Sequence, residues 1–258
     1  EKECVETKKW SIDKTIGNTI LTILNLVYLV FCYIQISVLF MKSGNMQSYE
    51  YAAYARQGFF QLMAVSVINL IIILLTSKRN EVNKKLTYTK IMNLCLSGFT
   101  IIILISSFYR MFLYEQEYGY TFLRLMVYFA LATELILIIP TIMYILDVKI
   151  NLPKTYFVII VLMYVFVNYT NINSLIAKKN IDRYLSNSSK YEIDIYYLQT
   201  LGVDAYKEIE RLRNVEDVKI QDEVEWYFKG IRNQVKDMTW QSFNMIKWGL
   251  SPFYHLFT

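Results

Sequence analysis

An arginine, a glutamine and a glycine stand directly before a long apolar run in "YAAYARQGFFQLMAVSVINLIIILLT", with Tyr54, Arg56, Gln57 and Gly58 at its mouth. Arg110 and Arg124 fall near the ends of two further apolar runs, and Glu115, Glu117 and Tyr118 lie between them. Guanidinium forks pair with carboxylates or phosphates through two parallel hydrogen bonds. Gathered at one membrane face, such groups could bind an anion or fasten loops to one another. The plainer reading is that each arginine runs along its helix and reaches water alone, as cations at helix ends commonly do. Glu134 differs, because it falls near the middle of "YTFLRLMVYFALATELILIIPTIMYIL", too deep to reach water. A carboxyl at that depth must be protonated, paired or turned to a cavity. Its candidate partners are Asn69, Gln61, Asn93, Gln35 and the tyrosines. An interhelical hydrogen bond is the simpler role for it and a proton or ion path the sharper one.

The remaining catalytic inventory is thin. The sequence has no GxSxG, HExxH, P-loop or GxGxxG pattern, and its one histidine, His255, stands three residues from the end. Metal and triad chemistry thus lack their usual ligand and base, and neither a metal nor a cofactor is expected. Cys4, Cys32 and Cys95 are odd in number, and the last two sit inside apolar blocks, so no disulfide framework is expected.

These residues must be positioned by elements built for lipid. Hydrophobic residues make up 55% of the chain, and they come in blocks. A hydrocarbon core about 30 Å thick requires roughly 20 residues of helix. Gly17–Met41, Gly58–Thr76, Ile91–Tyr114, Tyr120–Leu146 and Leu152–Ile172 meet that length, the last with a polar final turn. Several are apolar on every face, which argues against buried helices of a large soluble protein. The expected fold class is all-α: a polytopic transmembrane bundle of about five helices with a small helical C-terminal domain. The expected boundaries are a leader at 1–16, a bundle at 17–172 and a tail domain at 173–258.

A net charge of +5 would suit nucleic acid, but its distribution removes that class. Through Lys154 there are 15 Lys and Arg against 10 Asp and Glu, and from Asn171 onward 12 against 12. The excess lies in the membrane half, where basic loops mark the cytoplasmic side. The leader, the loop around Lys78–Lys90 and the loop with Lys149 and Lys154 carry eleven cations, against five on the other side with Lys178, Lys179 and Arg183 counted there. The expected topology has the leader inside and the tail outside, with Arg56, Arg110 and Arg124 at the outer face. The start at Glu1, with no signal-peptide pattern, suggests the C-terminal part of a longer protein.

The tail changes character. Asp204 is placed to cap a short helix whose Ala205, Ile209 and Leu212 share a face. Val224, Phe228, Ile231, Val235 and Met238 follow amphipathic helix spacing.

"YAAYARQGFFQLMAV" and "SSFYRMFLYEQEYGYTFLRL", then "NINSLIAKKNIDRY", "IDIYYLQTLGVDA" and "TWQSFNMIKW", occur in that order. This series resembles the shared core of bacterial multi-pass inner-membrane proteins grouped as a domain of unknown function. The resemblance covers roughly Tyr51 to Trp248. Its pattern falls on Tyr54, Arg56, Gly58, Arg110, Tyr114, Tyr118, Gly119, Arg124, Asn180, Arg183 and Tyr184. It implies further N-terminal helices in the full-length protein and supplies no activity. The candidate polar site is therefore Tyr54, Arg56, Gln57, Arg110, Glu115, Tyr118, Arg124, Asn180 and Arg183, with Glu134 as a separate intramembrane group. The favoured function is a non-enzymatic envelope anchor, sensor or accessory subunit in the inner membrane. Membrane lipid is its expected partner, with an envelope protein or a second copy of the chain as further candidates. The alternative is a transporter or lipid-active enzyme that uses the arginines and Glu134.

Overall fold

The computed structural model describes residues 14–41, 48–77, 87–146, 148–186 and 191–236. Among these residues the only regular structure is helical. The long helices are α1 (Lys14–Met41), α2 (Ser48–Thr76), α3 (Tyr88–Tyr118), α4 (Phe122–Ile145) and α5 (Leu152–Tyr169). They are followed by α6 (Ile172–Ser186), α7 (Ile195–Thr200), α8 (Tyr206–Glu210) and α9 (Val218–Lys236), with 3-10 turns at Gly202–Ala205 and Arg211–Asn214 flanking α8. Among the described residues five segments are long and apolar enough to span a bilayer: Thr15–Gln35, Gly58–Thr76, Tyr88–Tyr118, Phe122–Ile145 and Leu152–Tyr169. Leu26 and Tyr33 on α1, and Phe157 and Tyr164 on α5, are each more than half exposed. Lipid, and not water, is the solvent that such surfaces fit. The chain is an all-α, multi-pass membrane protein.

Two helices differ from the sequence expectation at their ends. α2 begins at Ser48, so the YAAYAR stretch is helical and not a loop leading into the apolar run. α3 continues through Glu115 and Glu117, which the hydropathy pattern assigned to a loop. It ends where Gly119 takes φ +75°, the left-handed conformation that glycine adopts without a Cβ penalty and that commonly closes a helix.

The described chain forms two compact units. The first is Glu1–Glu117 with Val127–Tyr164, and the second is Tyr118–Met126 with Val165–Thr258. The expected leader lies almost wholly outside the described residues. Two apolar clusters fill the first unit, one around Phe59, Leu70, Leu104, Met111, Leu131 and Ile138, the other around Leu21, Ile73, Leu96 and Ile145. Between α1, α2 and α3 runs a series of polar contacts. Tyr28 Oη donates to Asn69 Oδ1 at 2.6 Å, and Asn69 Nδ2 donates to Thr100 Oγ1 at 3.1 Å. Thr76 Oγ1 donates to Asn93 Oδ1 at 2.8 Å, and Asn25 Nδ2 to the Met92 carbonyl at 3.1 Å. Cys32 is buried on α1 and Cys95 exposed on α3, both as free thiols.

In the second unit Ile176, Ala177 and Ile181 of α6 are buried along with Leu198, Ala205, Ile209, Leu212, Val224 and Phe228. Ala205, Ile209 and Leu212 share one face, as their spacing predicts, and each is fully buried. Asp204 does not cap α8; its carboxylate accepts from Asn173 Nδ2 at 3.2 Å. The capping aspartate is Asp194, which accepts from the Tyr197 N–H at 2.8 Å at the start of α7. On α9, Val224, Phe228 and Ile231 face inward, while the side chains of Val235 and Met238 lie outside the described residues. Tyr227 Oη donates to the Gly202 carbonyl at 2.7 Å. Burial, then Asp204 and Tyr206, push its phenol above the usual tyrosine range.

Candidate functional site

In the first unit the site residues are Arg110 and Glu115, one and a half turns apart on α3. Arg110 is only 7% exposed, so it does not reach water alone. Its Nη2 donates to Gln35 Oε1 of α1 at 2.7 Å, and Ser106 Oγ approaches the same oxygen at 3.4 Å. Ser106 and Arg110 are four residues apart on α3, which puts both on the face toward α1. Gly58 of α2 supplies the space for the guanidinium, because a Cβ there would collide with Arg110 Nη1. The chemical reason for "RQGFF" at this point is thus the glycine: α2 can pass close to a buried arginine only where it lacks a side chain. Glu115 is 3% exposed, and its Oε2 accepts from Tyr128 Oη of α4 at 2.9 Å. Tyr128 is held in turn against the Phe108 ring, with centroids 5.8 Å apart.

Glu134 is also buried, at 6% exposure, between Leu131 and Ile138 of the same helix. Its hydrogen-bond partner is Ser66 of α2. Ser66 Oγ lies 2.8 Å from the Met63 carbonyl as well, and its one proton serves only one of the two. Three of the four expected amides are engaged elsewhere: Asn69 is bonded to Tyr28 and Thr100, Asn93 to Thr76 and Ser77, and Gln35 to Arg110.

The second unit brings together Tyr118, Arg124, Asn180 and Arg183 around the turn between α3 and α4. Asn180 of α6 makes a two-point clamp on one residue. Its Oδ1 accepts from the Tyr120 N–H and its Nδ2 donates to the Tyr120 carbonyl, both at 2.8 Å. A side-chain amide is the smallest group that offers a donor and an acceptor in the plane this requires. Gly119 lies against the same amide, and a Cβ there would stand 2.7 Å from Asn180 Oδ1 and 2.8 Å from Arg183 Nη1. Arg124 Nη1 donates to the Tyr118 carbonyl at 2.9 Å and to the Gly119 carbonyl, satisfying the C-terminal end of α3. The Arg183 guanidinium sits over the Tyr191 ring at 4.1 Å.

The candidate set therefore falls into a buried group in one unit and a turn-centred group in the other. The side chains of Tyr54, Arg56 and Gln57 lie outside the described residues. Sequence reasoning missed Ser66, Tyr120, Tyr128 and Tyr191, and it considered Gln35 only beside Glu134. A polar residue inside the first apolar block was the available signal for Gln35; nothing distinguished Tyr128 among 22 tyrosines. Among the described residues no three His, Cys, Asp or Glu side chains gather as a metal site would need.

A family model for a domain of unknown function, DUF4153, matches residues 2–212. The chain belongs to the DUF4153 family. The matched stretch takes in α1 to α8, hence every candidate residue named above, and ends before α9. Comparison with curated proteins and with solved structures returns no match.

The packing at Gly58 reverses an ordinary expectation for this DUF4153 chain. Glycine to alanine inside a helix usually stabilises by about 1 kcal/mol. At position 58 the methyl displaces a guanidinium whose hydrogen bond is worth roughly 1.5–3 kcal/mol. Gly58→Ala is therefore expected to lower thermal stability in detergent, and to lower it less in a Gln35→Ala background, where that bond is already gone. A stabilising Gly58→Ala would contradict the assignment.

Proposed function

We propose that the chain is a non-enzymatic anchor of the bacterial cell envelope, seated in the cytoplasmic membrane, that presents its C-terminal helices as a sensor or accessory surface. The observation that carries this reading is the Asn180 clamp on Tyr120. It fixes α6 to Tyr120 within one compact unit, which suits an ordered surface better than a loose run of helices. The leader is read as cytoplasmic and the tail as external, on the support of eleven basic loop residues against five. A second reading, a transporter or lipid-active enzyme, is favoured by one feature: Glu134 and Arg110 are both buried within the bundle.

Two measurements check these statements. On intact cells, a membrane-impermeant maleimide is expected to label Ser188→Cys and not Ser77→Cys; the reverse pattern overturns the orientation. In a strain lacking the gene, Glu134→Gln is expected to complement any defect of the deletion as well as the unaltered chain does, and Asn180→Ala to complement it poorly. Failure of Glu134→Gln at unchanged protein level would replace the anchor reading with the second one.

A further inference from the structure

We propose that Glu134 is a neutral carboxylic acid and that its own proton makes the hydrogen bond between α4 and α2. This goes beyond the anchor reading and does not depend on it. The inference comes from counting protons at Ser66. Glu134 is hydrogen-bonded to Ser66, and Ser66 Oγ also stands 2.8 Å from the Met63 carbonyl. A backbone carbonyl only accepts, and a hydroxyl has one proton to give. An ionised Glu134 would only accept as well, so Ser66 would face two acceptors with a single proton. One assignment turns both contacts into hydrogen bonds. Glu134 O–H donates to Ser66 Oγ, and Ser66 O–H donates to the Met63 carbonyl. Other hydroxyls of the bundle spend their proton in the same way on their own helix: Ser97 on the Asn93 carbonyl, Thr100 on that of Leu96 and Ser107 on that of Ile103.

The surroundings of the carboxyl favour the same state. Its Oε1 is buried and has no hydrogen-bond partner. Leu131 and Ile138, about one turn away on either side along the same face, are 0% and 1% exposed. A carboxylate with one oxygen bare among aliphatic side chains forgoes far more solvation than a neutral acid whose carbonyl oxygen is bare. Holding its proton, Glu134 fastens α4 to α2 as a donor, a role that the Nε2 of a glutamine would also fill.

Infrared difference spectroscopy of the full chain in lipid nanodiscs and neutral buffer tests this, because carboxylic acids and carboxylates absorb in separate regions. Subtracting the Glu134→Gln spectrum from that of the unaltered chain is expected to leave the carbonyl band of one protonated carboxyl, with no carboxylate band. Ser66→Ala is expected to keep the acid band and shift its frequency, since the O–H loses its acceptor. A carboxylate band in the Glu134→Gln difference overturns the proposal, and an acid band that Ser66→Ala leaves unmoved overturns the donation to Ser66. If Glu134→Gln does not fold, Ser66→Ala decides alone: a shift in the acid region supports the proposal, and a shift in the carboxylate region, or none, overturns it. The complementation result for Glu134→Gln bears on the anchor reading and not on these bands.

Discussion

Asn180 turns one acceptor and one donor to the same residue: Oδ1 takes the Tyr120 N–H and Nδ2 reaches the Tyr120 carbonyl. The arrangement of the second unit depends on that pairing. Tyr120 lies outside both α3 and α4, where no helical ladder satisfies its backbone groups. Clamping it fixes the turn, and the fixed turn requires Gly119 at φ +75° to bring the chain against α6 without a side chain in the way. The same turn points the last carbonyls of α3 at Arg124. The family-like residues Gly119, Arg124, Asn180 and Arg183 are thus explained as parts of one fastening.

Within the bundle a different constraint governs. Hydrocarbon offers no hydrogen bonds, so a polar side chain on a spanning helix needs a partner inside the protein. Tyr28, Asn69 and Thr100 meet that need across three helices, and Gln35 with Arg110, Tyr128 with Glu115 and Ser66 with Glu134 meet it in pairs. The neutral bonds of this kind contribute only about 0.6 kcal/mol each on average, and the charged one at Arg110 more. Their larger effect is on register, because a one-residue slip of α2 against α3 would strand Asn69 and put a side chain where Arg110 lies.

Much of this architecture was legible in the sequence, for a physical reason. Spans are set by the thickness of the hydrocarbon, so block lengths located all five. Arg56, Arg110, Arg124 and Glu134 stood out because charge next to lipid is costly whatever the fold. Their partners were not legible. Glu134 could have met any of several amides, and its meeting Ser66 depends on how α2 and α4 rotate, which hydropathy does not report. Glu115 was assigned to a loop because hydropathy counts a charged residue as polar even when a tyrosine on the next helix satisfies it. Asp204 looked like a cap by type and position, yet Asp194 holds that role at α7 and Asp204 binds a distant asparagine.

The central claim is that the Asn180 amide, and not general burial, holds the turn between α3 and α4. Hydrogen–deuterium exchange at the Tyr120 amide tests it most directly. The account predicts that this N–H exchanges at least roughly tenfold more slowly in the unaltered chain than in Asn180→Ala, while protection along α9 stays the same. Equal exchange at Tyr120 in the two proteins would contradict it.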